Sequence, residues 1–208
     1  MGSRGYSRPG PSRRIGAKRI QMGKLTYSMS VSLDGYISGP EGEIDWSAPD
    51  EELHRFHNER VRRLGGHLLG RRLYEVMLVW EENDDWATDY EREFARIWRQ
   101  LPKVVFSTTL ESVEGNARLA TGDIAEEVAG LKQQSEGDLA VGGAELAAAM
   151  SRLGLIDEYE LFVNPTVVGG GSPFFGEGTE RLDLELIETR VFGDRVVYLR
   201  YRRDTISD

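Results

Sequence analysis

Residues 138–146 have the sequence Asp-Leu-Ala-Val-Gly-Gly-Ala-Glu-Leu. A short apolar run in this segment ends in two glycines, and a helical pattern follows directly. The pattern predicts a strand, a tight turn and the start of a helix that continues to Leu153. The first turn of a helix presents unpaired backbone N–H groups and the positive end of the helix dipole, so this junction is suited to an anion such as phosphate. Gly142 and Gly143 would let the anion approach the backbone; alternatively, they only allow the helix to pack closely on the strand.

Strand and helix patterns alternate along most of the chain. Strands are predicted at residues 24–31, 67–69, 103–106, 138–141 and 159–163, and helices at 50–64, 71–79, 88–100, 123–134 and 144–153. Ser47-x-x-Asp50 and Thr88-x-x-Glu91 match the capping box that opens a helix, and we expect each to start one.

The last part of the chain changes to a pattern of period two. Residues 184–192 and 196–202 alternate, and Gly193-Asp194 between them is typical of the two-residue turn of a hairpin. Alternating strands and helices that end in such a hairpin predict an α/β fold. We expect a mostly parallel central sheet flanked by helices, with a C-terminal antiparallel β-hairpin.

Composition and charge limit the domain organisation and the class of partner. Residues 1–22 are rich in Gly, Ser, Pro and Arg, and we expect a disordered basic extension followed by one domain at residues 23–204. The net charge is −9 and residues 1–21 hold six basic and no acidic side chains, so the rest of the chain carries −15. An acidic body argues against nucleic acid as a partner. The absence of a long apolar run and of cysteine predicts a cytoplasmic protein without membrane spans, disulfides or thiolate chemistry.

Polar residues and glycines follow four of the predicted strands. The strand ends carry Ser30 to Gly35, Gly70-Arg71-Arg72, Ser107-Thr108-Thr109 and Gly142-Gly143-Ala144. Ligands of open α/β sheets bind at the carboxyl ends of the strands, and hydroxyl, guanidinium and backbone N–H groups all bind phosphate. The four strand ends together therefore predict a cofactor that carries phosphate.

The sequence resembles a known superfamily in several segments. Residues 67–75 (His-Leu-Leu-Gly-Arg-Arg-Leu-Tyr-Glu), 103–109 (Lys-Val-Val-Phe-Ser-Thr-Thr) and 139–146 resemble the dihydrofolate reductase superfamily. Residues 29–37 (Met-Ser-Val-Ser-Leu-Asp-Gly-Tyr-Ile) and 164–175 (Asn-Pro-Thr-Val-Val-Gly-Gly-Gly-Ser-Pro-Phe-Phe) are similar to one branch of it, the C-terminal reductase domain of bacterial riboflavin biosynthesis proteins.

The resemblance implies a dihydrofolate reductase-like fold that uses NADPH. The reaction would be hydride transfer, as in a dihydrofolate reductase or a 5-amino-6-(5-phosphoribosylamino)uracil reductase. Arg71 would help to neutralise the 2′-phosphate, whereas Arg72 fits a solvated helix face equally well. The residues that the resemblance places against the cofactor are Ser30, Ile37, Gly70, Arg71, Arg72, Ser107, Thr108, Thr109, Gly142, Gly143, Ala144, Glu145 and Leu146.

The substrate implied by the resemblance is a small planar heterocycle, such as a pterin, pyrimidine or flavin-like compound, or a related unsaturated compound. The riboflavin branch often has lysine where this chain has Tyr36, and Tyr36 offers no positive charge to a substrate phosphate. Trp46 would stack on a flat substrate or cover the core. Pro165, within the segment 164–175, is a second candidate substrate contact.

Reduction of a C=N or C=C bond needs a proton as well as a hydride, and a carboxyl with a raised pKa can supply it. Asp34, Asp45 and Asp50 are the candidates. Asp34 precedes a glycine and equally fits a turn, and Asp50 equally fits a helix cap.

We predict no metal site, because His54, His57 and His67 have neither cysteine nor a close acidic partner in the sequence. The apolar pair Phe174-Phe175 suggests a homodimer. The alternatives to a reductase are a non-catalytic protein that binds NADP(H) or another nucleotide, and a structural domain that binds no nucleotide.

Overall fold

The computed structural model describes residues 23–176 and 178–204. The predicted basic extension at residues 1–22 therefore lies outside the described residues. The described chain contains ten strands, β1 to β10: Leu25–Ser32, Tyr36–Ser38, Leu64–Gly70, Lys103–Phe106, Ala117–Leu119, Asp138–Gly142, Glu158–Asn164, Ser172–Pro173, Leu184–Phe192 and Val196–Arg203.

Eight of these strands form one sheet in the order β5-β4-β3-β6-β1-β7-β10-β9. The six strands from β5 to β7 are parallel, whereas β10 pairs antiparallel with both β7 and β9. β2 and β8 form a separate two-stranded antiparallel ladder. This arrangement confirms the predicted α/β fold with a mostly parallel sheet and a C-terminal antiparallel hairpin.

Six helices, α1 to α6, cover the two faces of the sheet. Their bounds are Glu51–Arg62, Arg71–Met77, Val79–Glu82, Asp89–Gln100, Ile124–Gln134 and Ala144–Arg152, and a short 3-10 helix lies at Asp45–Ser47. Val128 of α5 and Met150 of α6 pack with Leu25 and Tyr27 of β1 on one face. Trp98 of α4 packs with strand residues on the opposite face, which α1 and α2 also cover. Within the described residues, the structure has no helix long and apolar enough to cross a membrane.

The two faces of β1 differ in chemistry because side chains alternate along a strand. Leu25, Tyr27 and Val31 belong to the main apolar cluster under α5 and α6. Thr26, Ser28 and Ser30 point to the other face, under α1. The α1 face of the central strand is therefore lined by small hydroxyls.

One of the two predicted capping boxes is present. Thr88 accepts the backbone N–H of Glu91, and the Glu91 side chain accepts that of Thr88, at the start of α4. The box predicted at Ser47 is wrong, because Ser47 lies in the 3-10 helix and Asp50 itself caps α1 by accepting the N–H of Leu53 at 2.9 Å.

The predicted end of α1 at Leu64 is also wrong. α1 ends at Arg62 and Leu64 already pairs with Asp138 as the first residue of β3. Gly65 allows the chains to approach closely here, since a Cβ there would lie 1.8 Å from the Ser135 hydroxyl oxygen and 2.9 Å from the Gly137 backbone nitrogen.

The C-terminal hairpin has the turn that its sequence predicts. The Arg195 N–H donates to the Phe192 carbonyl across Gly193 and Asp194, whose φ values are +54° and +53°. The two residues of the pair predicted as a dimer surface differ in burial. Phe174 is buried, with its ring centre 4.2 Å from that of Tyr27, whereas Phe175 is 40% exposed. The homodimer stays a prediction.

Candidate functional site

The carboxyl ends of β3, β4 and β6 bring three of the predicted cofactor segments to one edge of the sheet. Gly70 pairs with Phe106, and Leu69 pairs with Gly142. The residues that follow these pairs, Arg71, Ser107 and Gly143, therefore leave the sheet at the same level. This register places the starts of α2 and α6 beside each other.

Gly143 lies in the gap between these two helix starts. Its φ is +99°, a conformation that residues with a side chain rarely adopt. A Cβ at Gly143 would lie 3.7 Å from the backbone nitrogen and Cα of Gly70, so it would occupy the space between the two helix N-termini. A gap that a single Cβ would fill, bordered by backbone N–H groups, fits the phosphates of a dinucleotide.

The two arginines at this edge are exposed and only loosely paired. Arg71 lies 3.6 Å from Glu75, and Arg72 lies 3.4 Å from Glu145. Exposed pairs of this kind contribute little to stability, so both guanidinium groups can turn to an anion. Both therefore suit the phosphate-binding role that the resemblance implies.

The remaining predicted cofactor residues are divided between the surface and the core. Ser107 accepts the backbone N–H groups of Thr109 and Leu110 and so shapes the loop after β4, while Thr108 is exposed. Ala144 opens α6, and Leu146, which is 8% exposed, packs in the main apolar cluster.

β1 and β6 separate toward the same edge. β6 pairs with β1 only from Leu25 to Tyr27, whereas β7 pairs with β1 from Thr26 to Ser32. The connection from β1 to β3 passes over β6 on the α1 face, and that from β6 to β7 passes over β1 on the α6 face. Ligands of open α/β sheets bind in the crevice at such a switch in direction.

A cavity of about 480 Å³ lies between α1 and the sheet. The hydroxyls of Thr26, Ser28 and Ser30 line its floor, and α1 forms its roof. The volume lies in the range of sites that enclose a small organic ligand. The other lining residues are Met29, Pro49, His54, His57, Arg60, Val61, Arg63, Leu64, His67, Leu73, Met77, Trp80, Phe94, Trp98, Asp138, Ala140, Glu160, Phe162 and Arg200.

The charged groups in the cavity wall pair with one another. Glu160 is 1% exposed and accepts hydrogen bonds from Arg60 and from the Tyr198 hydroxyl, the latter at 3.0 Å. The Arg200 guanidinium donates to Glu158 at 2.8 Å and lies 3.5 Å from Glu160. Burial and the neighbouring Glu160 raise the pKa of Tyr198, so its hydroxyl stays a donor.

Two imidazoles in the wall are neutral at physiological pH. Burial, with smaller contributions from Arg60 and His54, lowers the pKa of His57 to about 3. Burial and the nearby Lys103 lower that of His67 to about 4. Neutral imidazole has one hydrogen-bond donor and one acceptor, so these side chains can bind an uncharged polar group.

The three candidate proton donors do not line the cavity. Asp34 joins two loops, since it accepts the Ser32 hydroxyl at 2.7 Å and the backbone N–H groups of Val168 and Gly169. The hydrogen bond from Ser32 is the main cause that lowers the pKa of Asp34, the opposite of the shift expected of a proton donor. Asp45 is exposed in the 3-10 helix, and Asp50 caps α1.

The other predicted contacts lie around the loops after β1 and β7. Trp46 is partly buried and donates its indole N–H to the Glu43 carbonyl, and Pro165 is exposed just after β7. Ile37 packs against the main apolar cluster. Of this group only Ser30 lines the cavity.

The sequence reasoning missed most of the cavity wall. The alternation Thr26-x-Ser28-x-Ser30 in β1 was the available signal, since three hydroxyls on one face of a central strand are unusual for a core. No comparable pattern indicated that His57 and Glu160 line a cavity, because each lies in an element whose sequence pattern predicts only a structural role. Among the described residues, no group of three or more His, Asp or Glu side chains is placed to hold a metal ion.

Comparisons with known proteins agree with this geometry. The family model of the RibD C-terminal domain matches residues 23–198. The uncharacterized protein YyaP of Bacillus subtilis (strain 168) is 30% identical over 184 residues, which cover 88% of this chain and 96% of YyaP.

Two solved structures share the fold. The "Putative riboflavin biosynthesis protein" of Shewanella sp. PV-4 has a TM-score of 0.69 and 26% identity, covering 88% of this chain and 99% of that one. Dihydrofolate reductase of Enterococcus faecalis, complexed with NADP(H) and RAB-propyl, has a TM-score of 0.59 and 15% identity, covering 88% and 98%. The chain therefore belongs to the family of the RibD C-terminal domain, with a dihydrofolate reductase-like fold.

Proposed function

We propose that the protein is an NADPH-dependent reductase that acts on a small planar heterocycle, or a related unsaturated compound, bound in the cavity under α1. One observation carries the proposal: His67 and Leu73 line the cavity and also border the glycines at the end of β6, since a Cβ at Gly142 would lie 3.3 Å from His67 Nε2 and one at Gly143 would lie 4.0 Å from Leu73 Cβ. The proposed phosphate site would therefore adjoin a cavity of substrate size. Membership of a reductase family and the NADP(H) bound to the Enterococcus faecalis enzyme support the choice of cofactor.

When bound, NADPH supplies a hydride to one atom of a C=N or C=C bond, and a proton adds to the other atom, which yields NADP⁺ and the reduced compound. In this chain Gly142 and Gly143 would let the pyrophosphate approach the backbone at the start of α6. Arg71 would pair with the 2′-phosphate, because a guanidinium binds phosphate through two parallel hydrogen bonds. The aromatic wall, with Trp80 and Phe162, would keep water away from the reacting atoms.

The test is a titration of the full chain with NADPH and with NADH, followed by tryptophan fluorescence and thermal shift. We expect micromolar binding of NADPH, tighter than that of NADH. Loss of NADPH absorbance is then measured with pterins, flavins and pyrimidines as substrates. Failure of both nucleotides to bind would refute the proposed function.

A non-catalytic protein that binds NADP(H) is the second candidate. It is favoured by the position of the three candidate carboxyl groups, Asp34, Asp45 and Asp50, none of which lines the cavity. This alternative predicts tight NADPH binding with no substrate-dependent oxidation. Oxidation that requires an added heterocycle would exclude it.

A further inference from the structure

His54 and Asn58, one turn apart on α1, are both buried, with 8% and 1% of their surface exposed. Nδ1 of His54 and Oδ1 of Asn58 are buried, and neither has a hydrogen-bond partner elsewhere in the described part of the chain. The Asn58 amide nitrogen donates to the Tyr90 carbonyl and to Glu93, each at 2.9 Å, so the amide oxygen is fixed as an acceptor. Buried polar atoms nearly always have a partner, and a proton on Nδ1 that is donated to Oδ1 supplies one to both atoms.

The second ring nitrogen of His54 is open to the cavity. Nε2 makes no hydrogen bond with the described residues and, unlike Nδ1, is not enclosed by protein. His54 lines the cavity next to Trp80, and their ring centres lie 6.1 Å apart. Met77 and Leu73 continue the same wall, and a Cβ at Gly143 would lie 4.0 Å from Leu73 Cβ. One wall of the cavity therefore leads from the proposed cofactor gap to His54.

The groups around His54 offset part of the cost of protonating a buried ring. Burial lowers the pKa of His54, whereas the hydrogen bond with Asn58 and the charge of Glu91 on α4 raise it. The charge of Arg55 lowers this pKa, although its guanidinium is paired with Glu51 at 2.9 Å. The other neighbours are aromatic or neutral imidazole rings, those of His57, Trp80, Tyr90 and Phe94.

The other titratable side chains of the cavity wall are less suited to donate a proton. Burial and neighbouring charges all lower the pKa values of His57 and His67, to about 3 and about 4. Glu160 is ion-paired with Arg60. Asp138 is the first residue of β6, at the opposite end of that strand from the proposed cofactor gap.

We propose that His54 is the catalytic acid of the reduction and that Asn58 is the residue that positions it. The proposal rests on the proposed function and adds to it the proton donor that Asp34, Asp45 and Asp50 do not supply, since none of them lines the cavity. Asn58 holds the Nδ1 side of the ring, so the Nε2–H bond of the imidazolium faces the bound compound.

The imidazolium form of His54 breaks its Nε2–H bond and gives the proton to one atom of the C=N or C=C bond, while the other atom accepts hydride from NADPH. The products are the reduced compound, NADP⁺ and neutral His54 with its proton on Nδ1, the tautomer that Asn58 favours. After product release a proton from solvent returns to Nε2, since the cavity wall includes Arg63, whose side chain is 81% exposed.

Nitrogen-15 NMR of the histidine rings in the full chain tests this geometry without any substrate. We expect neutral His54 to carry its proton on Nδ1, and to become protonated at a lower pH than a free histidine but a higher pH than His57 and His67. Asn58→Leu should shift the ring toward the Nε2–H tautomer. A proton on Nε2 in the wild type, or a protonation midpoint no higher than those of the other two rings, overturns the proposal.

His54→Gln tests the catalytic role, because glutamine keeps hydrogen-bonding groups but does not titrate. In the NADPH oxidation assay with pterins, flavins and pyrimidines, we expect kcat to fall about hundredfold. The wild-type kcat should decrease as the pH rises through the pKa of His54, and this dependence should disappear in the variant. The dissociation constant of NADP⁺ should change by less than about threefold, which a general loss of packing would not predict.

His57→Gln is the matched control, because His57 also comes from α1 and lines the same cavity. It should retain the wild-type pH dependence whatever its effect on the rate. Retention of that dependence in His54→Gln refutes only the assignment of His54, whereas no oxidation by the wild type with any of the compounds refutes the catalytic function itself. If His54→Gln does not fold, the NMR titration of the wild-type ring decides.

Discussion

The buried charge cluster on the α1 face allows a quantitative test with a matched control. Arg200 of β10 has a side chain that is 28% exposed, and Glu158 and Glu160 have side chains that are 1% exposed. Arg200 donates to Glu158 at 2.8 Å, and Lys24 donates to the same carboxylate at 2.6 Å. The substitution Arg200→Met keeps much of the side-chain volume and removes the charge.

Removal of one partner from a buried ion pair costs roughly 3–5 kcal/mol, since the other charge stays buried. Lys24 still neutralises Glu158 in the variant, and Arg60 still neutralises Glu160. We therefore expect a loss at the lower end, about 3 kcal/mol of unfolding free energy. For a domain of this size 1 kcal/mol corresponds to roughly 2–4 °C, so the melting temperature should fall by about 6–12 °C.

Arg202→Met is the matched control. Arg202 lies on the same strand and the same face, but its side chain is 50% exposed and its guanidinium is 3.9 Å from Glu158 and 3.7 Å from Glu185. An exposed pair contributes about 0–1 kcal/mol, so the melting temperature should change by about 4 °C at most. Calorimetry and urea unfolding of the two variants measure the difference, and equal losses would refute the argument from burial.

Gly143→Val should abolish NADPH binding in a fluorescence titration, whereas Gly42→Val, with φ +87° and open space around it, should retain binding despite similar backbone strain. Hydrogen bonds from Arg118 are the main cause that lowers the pKa of Glu127 from 4.5 to about 2. The stability that ionised Glu127 contributes to the fold is therefore complete above pH 4.5 and is lost as the pH falls toward 2. Glu127→Gln should flatten the unfolding free energy over that interval in urea titrations, and an unchanged slope contradicts the pairing. Asp34→Asn should leave the acid limb of the pH–rate profile for NADPH oxidation unchanged, because the lowered pKa of Asp34 keeps its carboxyl ionised. A shifted limb would show that Asp34 is the proton donor.

The fold was predictable from sequence because local signals agreed with the tertiary structure. The alternation in residues 184–192 and 196–202, with Gly193-Asp194 between them, gave the hairpin, and Thr88-x-x-Glu91 gave the start of α4. The boundary at Leu64 was not predictable, because its strand conformation comes from pairing with Asp138, far along the chain. β5, only three residues long, was not predicted for the same reason, since it exists through its pairing with β4.

The edge proposed to bind the cofactor was easier to predict from the sequence than the cavity. Glycines and arginines after strands carry a local signal, and the register of β3, β4 and β6 brings them together. The cavity depends on which side chains face α1, and a single sequence does not show that face. Asp34 illustrates the limit: besides the nearby Ser32 hydroxyl, its carboxylate accepts the backbone N–H groups of Val168 and Gly169, which lie more than a hundred residues along the chain.

The two faces of the sheet are packed differently, and this difference affects which substitutions the fold can accept. The apolar cluster beneath α5 and α6 sustains the strand order, while hydroxyls, imidazoles and paired charges on the other face border open space. A substitution at Ser28 or His57 alters the shape and polarity of that space without touching the apolar cluster. Under the proposed function, substrate preference can therefore change between relatives while the architecture persists, because the cavity and the main apolar cluster lie on different faces of the sheet.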